Sequence, residues 1–145
     1  MLGVLAVDAH SFTLTVDGEV DRPLVLPLDE LMALPATERS LSMSCFGGPH
    51  ADALMKGVTL ARLLALAQAR GGASRAVFHC ADGYNESIPL VELLQNDAFL
   101  VYTVNGERLH ETGWPVRLAI PGKFGYKWAK SVQRIEILSD DGADA

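Results

Sequence analysis

The sequence predicts an α+β domain with short β-sheets that are mixed or mostly antiparallel, plus a few helices. Three observations carry this. Segments with strand-like alternation outnumber those with helical spacing, about eight or nine to three. The two kinds do not alternate regularly, as a parallel βαβ sheet would require. With 145 residues, 49% apolar and 21% charged, the chain can bury a core as one domain. That domain is expected over residues 1–138, with 139–145 (SDDGADA) as an acidic tail.

Taken in order, SFTLTVDGEVDRPLVLP reads as two strands around a turn at Asp17-Gly18. Residues 28–35 (LDELMALP) read as a short helix closed by proline. RSLSMSC, 39–45, alternates as a strand that ends at Cys45, and FGGPH then breaks the pattern. The clearest helix is VTLARLLALAQARGG, 58–72, with Thr59 as its cap and Gly71 as its stop. RAVFHC (75–80) is a buried strand, and ADGYNESIP turns into a second one. PLVELLQN (89–96) is a short helix with Pro89 in its first turn. AFLVYTVNGERL is a strand, an Asn-Gly turn and the start of another strand; VRLAIP and VQRIEIL close the sheets.

The formal net charge of -6 argues against a general nucleic-acid or anionic-membrane binder. No apolar run approaches the ~20 residues that span a bilayer. The opening MLGVLAVDAHSF lacks a basic n-region and meets Asp8, so a cytoplasmic protein is the expectation. Two cysteines, Cys45 and Cys80, do not make a disulfide framework.

Residues 113–128, GWPVRLAIPGKFGYKW, combine two tryptophans, two prolines and three basic residues around one apolar run. From Arg117 to Arg134 there are five Lys or Arg and no acid, which suits a small anionic ligand or, equally, a solvated surface. Cys45, followed by two glycines, could serve as a metal ligand or a nucleophile. A Cys/His hydrolase would take His50, His79 or His110 as its base. No HxxxH or HxH spacing points to zinc. Cys80 sits in an apolar strand pattern and reads as core. Asp82-Gly83-Tyr84 reads either as an ordinary turn or as a loop presenting Tyr84 to a pocket.

The strand ending in Cys45, then KGVTLARLL, ADGYNESIPL and NGERLHETGWPVRLAIPGKFGYKWAKSVQRIEIL, resembles the molybdopterin-binding domain of the sulfite oxidase family. The resemblance spans roughly residues 12–138 and is most specific in the C-terminal block. It implies the sulfite-oxidase-type fold and a molybdenum-molybdopterin cofactor, tightly or weakly held. By this resemblance Cys45 would ligate molybdenum, a soft thiolate beside the pterin dithiolene. Arg117, Lys123, Lys127, Trp128 and Lys130 would bind the cofactor, and Tyr84 would stand near the metal as a catalytic group. Met55 occupies a position where the family usually has tryptophan.

The activity implied is two-electron oxygen-atom transfer on a small oxyanion or a sulfoxide. A redox partner protein is implied as well, with no nucleic acid and no membrane span. The alternative is a non-catalytic module of the same fold that binds a pterin or another anion, or a subunit of a redox complex. Arg117 has its own alternative, an ion pair with Glu107 or Asp82.

Overall fold

In the computed structural model, which describes residues 12–42, 52–108, 116–121 and 131–139, the last strand of the chain lies at the middle of a sheet. That sheet contains, in spatial order, β2 (Leu24–Pro27), β1 (Thr13–Gly18), β10 (Val132–Ser139), β5 (Ala73–Cys80) and β6 (Asn85–Pro89). The first and last strands, β1 and β10, pair in parallel, and the other pairings among the described strands are antiparallel.

A second sheet runs β3 (Thr37–Ser42), β4 (Asp52–Thr59), β7 (Phe99–Val104) and β8 (Glu107–Arg108). The three-residue strand β9 (Arg117–Ala119) shares the outer edge of β7 with β8. Three helices, α1 (Leu28–Ala33), α2 (Leu60–Ala67) and α3 (Leu90–Gln95), each follow directly on a strand. One cluster of buried side chains takes residues from both sheets and all three helices, including Leu14, Phe78, Phe99, Leu31, Leu63 and Leu93.

Local chemistry explains most of the boundaries. The Thr59 side chain accepts from the Arg62 N–H and caps α2, as expected. The helix then buries Leu60, Leu63, Leu64 and Ala67, each leucine contributing roughly 1.5–3 kcal/mol. It stops earlier than the sequence suggests. Gln68, not Gly71, takes the left-handed conformation, with φ 56°. The Asn105-Gly106 turn forms as expected, with both residues at positive φ between the Val104 and Glu107 partners.

Two expectations need correction. Asp17-Gly18 is not a turn. Both residues continue β1, paired with Glu136 and Ile137, and the chain reverses only after them. Gly18 is still required there, because φ is 96° and a Cβ would run into the Ile137 carbonyl oxygen. The helix expected over 58–72 begins only at Leu60, because Val58 and the capping Thr59 still end β4. With β4 and the two-residue β8, the described strands number ten.

Candidate active site

Of the expected site residues, Tyr84 and Arg117 fall within the described structure. Cys45, Lys123, Lys127, Trp128 and Lys130 lie outside the described residues.

Tyr84 ends a tight turn that follows β5. Gly83 N–H donates to the Cys80 carbonyl at 3.0 Å, and Cys80 N–H donates to the Tyr84 carbonyl at 2.9 Å. Asp82 Oδ1 accepts from the Tyr84 N–H at 2.9 Å, the local bond that makes Asp-Gly a turn former. Gly83 has φ 90°, a conformation that suits glycine. The Tyr84 side chain is left 41% exposed. The charge of Glu86 raises its pKa above 10.0, with smaller contributions from desolvation, Cys80 and Asp82. At neutral pH Tyr84 is therefore a phenol, able to donate a hydrogen bond.

Arg117 opens β9. It is only 3% exposed and is the one charged side chain in the buried set of the described residues. Its cross-strand partner is Val101 on β7. Cys80, read from the sequence as core, is a buried thiol.

One joint links the two site elements. Ser131, at φ 55°, accepts from the Ala81 N–H at 2.9 Å, which anchors the Tyr84 turn. The next residue, Val132, donates to the Val116 carbonyl at 3.0 Å, which anchors the strand of Arg117. The joint immediately follows residues 122–130, where the sequence places the lysines and Trp128.

Tyr102 is a residue that sequence reasoning passed over. It lies in the apolar run FLVYTV, where its polar tip was the available signal. Its hydroxyl is enclosed without a hydrogen bond, and its pKa is raised, first by burial and then by Glu38. Elsewhere, a groove of about 540 Å³ between α2 and α3 is lined by Leu64, Arg70, Leu90, Val91 and Leu94 among others. None of the expected site residues lines it. Among the described residues no group of three His, Cys, Asp or Glu is placed to hold a metal ion. No described helix is long and apolar enough to cross a membrane.

The family model for the oxidoreductase molybdopterin binding domain matches residues 1–144. The chain belongs to that family. It is 35% identical over 137 residues to YedZ1 of Azospira oryzae, named as a protein-methionine-sulfoxide reductase subunit, covering 94% of this chain and 52% of that protein. It is 31% identical to the protein-methionine-sulfoxide reductase catalytic subunit MsrP of Gluconobacter oxydans, over 90% of this chain and 48% of MsrP. Among solved structures, the sulfane dehydrogenase SoxCD of Paracoccus pantotrophus superposes with a TM-score of 0.80 at 25% identity, over 94% of this chain and 40% of that one. The chain thus spans about half the length of these relatives, or less. The mixed sheets and three helices are the sulfite-oxidase-type molybdopterin-binding fold.

The cofactor implied by the family is a molybdenum-molybdopterin. The described side chains suit such a group. Arg117 is a buried cation with a planar fork of donors, matched to phosphate or pterin oxygens. Tyr102 carries an enclosed hydroxyl with a hydrogen still to donate.

Proposed function

We propose that this domain holds a molybdenum-molybdopterin and serves an oxidoreductase acting on a small oxyanion or a sulfoxide. The burial of Arg117 on β9 carries the reading, because a buried cation suits an anionic cofactor. When bound, the cofactor would supply two-electron oxygen-atom transfer.

The chain's own residues have separate tasks in this reading. Cys45 offers a thiolate to the metal. Arg117 binds an oxyanion of the cofactor through its fork of N–H groups. Lys123, Lys127, Trp128 and Lys130, just before the Ser131-Val132 joint, complete the grip. Tyr84 keeps its proton and donates to an oxygen at the reacting centre. In this scheme residues 1–139 act as one unit, because Ser139 still pairs with Ala73 in β10, with 140–145 outside it.

The names of YedZ1 and MsrP favour a sulfoxide over other substrates. A redox partner protein belongs to the same proposal, since oxygen-atom transfer needs a source or sink of two electrons. A cytoplasmic location is proposed too. The test is methionine-sulfoxide reduction by the cofactor-loaded chain with a chemical electron donor. Turnover that disappears in Cys45→Ser supports the reading, and a fully loaded chain that turns over neither sulfoxide nor sulfite contradicts it.

A further inference from the structure

Among the described residues Tyr102 is the largest fully buried side chain, and it sits at an interruption of the second sheet. On one side of β7, Lys56 pairs with Thr103 and Gly57 with Val101, so Tyr102 is the extra residue of a β-bulge. On the other side Thr103 pairs with Arg108 and Val101 with Arg117, so Tyr102 falls between β8 and β9. Bulges re-aim side chains and gather beside active sites. Gly57 stands at the register shift, and a Cβ there would run into the Leu100 carbonyl.

The Tyr102 hydroxyl is enclosed and makes no hydrogen bond within the protein. A tyrosine needed only for packing would be better as phenylalanine, because an enclosed and unsatisfied hydroxyl is unfavourable. One residue away in register stands Arg117, the buried cation. Burial, with the charge of Glu38 adding to it, keeps the Tyr102 phenol protonated, so what it offers is a donor.

We propose that Tyr102 is a cofactor-binding residue, donating its hydroxyl hydrogen to an acceptor atom of the pterin cofactor beside Arg117. This rests on the reading of the domain as a molybdopterin holder. The ligand chemistry required is a buried acceptor, a carbonyl or phosphate oxygen or a ring nitrogen.

The test uses the whole chain made in a molybdopterin-competent host, as wild type, Tyr102→Phe and Arg117→Met. Pterin content, the rate of pterin loss on dilution and the melting temperature of the cofactor-free form are measured. Tyr102→Phe should lose pterin about fivefold faster than wild type, the effect of one modest hydrogen bond. Its cofactor-free form should melt at the wild-type temperature or above, because an unsatisfied hydroxyl has been removed. Pterin retention equal to wild type would overturn the proposal. So would a lower melting temperature of the cofactor-free variant, since the hydroxyl would then already be bonded, for instance to a buried water. Loss of pterin from Arg117→Met but not from Tyr102→Phe sinks this inference alone. A wild-type chain that takes up no pterin removes the functional reading and this inference with it.

Discussion

Val132 donates its backbone N–H to the carbonyl of Val116 at 3.0 Å, and so ties the central strand of one sheet to the residue before Arg117 in the other. The preceding residue, Ser131, receives Ala81 from the Tyr84 turn. The cation on β9 and the phenol after β5 are thus fixed to one short stretch of backbone. That stretch directly follows the lysine-bearing segment 122–130. A cofactor gripped by that segment would bear on both residues through it.

Arg117→Met removes the charge while keeping most of the side-chain volume. A charge-assisted contact is worth roughly 1.5–3 kcal/mol, so cofactor affinity should fall by about one to two orders of magnitude. Equal pterin content, with a lowered melting temperature of the cofactor-free form, would reassign Arg117 to a structural ion pair.

Tyr84 and Glu86 make a pH prediction. The Glu86 charge is the leading cause of the raised Tyr84 pKa, so Glu86→Gln should lower it, as an ultraviolet titration of the phenol would read. Activity of the wild type should show no loss from Tyr84 ionisation near neutral pH. Tyr84→Phe should cut kcat at least about tenfold, as expected for a lost proton donor, with pterin content unchanged. Full activity in Tyr84→Phe would remove this residue from the chemistry.

Gly57 and Gly71 should respond oppositely to alanine. A Cβ on Gly57 meets the backbone of Leu100 and Val101, which cannot yield as a flexible side chain would, whereas nothing lies within 4 Å of one on Gly71. Gly57→Ala should cost about 3 kcal/mol or more. Gly71→Ala should stay within about 0.5 kcal/mol of wild type. Chemical denaturation of the two variants checks this.

Tyr102 should make the protein sensitive to base. Its folded-state pKa lies above its ordinary value of 10.0, chiefly through burial. The native chain therefore keeps a proton that the unfolded chain loses, and stability falls as pH rises past about 10. Tyr102→Phe should flatten that decline. Identical pH profiles for the two proteins would contradict it.

Much of the fold was legible because its elements carry local signals: the Thr59 cap, the Asn105-Gly106 turn, the alternation in VQRIEIL. The misreadings share a cause. Asp17-Gly18 has turn composition, yet parallel pairing with β10, more than a hundred residues away, draws it into a strand. Val58 carries helical spacing, yet pairing with Leu100 on β7 holds it in β4. Long-range backbone approach leaves no trace in local propensity. Among the candidate site residues, Arg117 stands out in the sequence through its motif, but its burial on a three-residue strand is not legible there. Tyr102 looked like one more aromatic core residue, because only the folded structure reveals an unsatisfied hydroxyl.

The most direct test of the central claim is the molybdenum and pterin content of the chain purified from a molybdopterin-competent host, beside Cys45→Ser. Metal and pterin should copurify with the wild type in similar amounts, and Cys45→Ser should lose molybdenum while its fold persists. A folded wild-type chain with neither metal nor pterin, from cells whose other molybdenum enzymes are fully loaded, would contradict it.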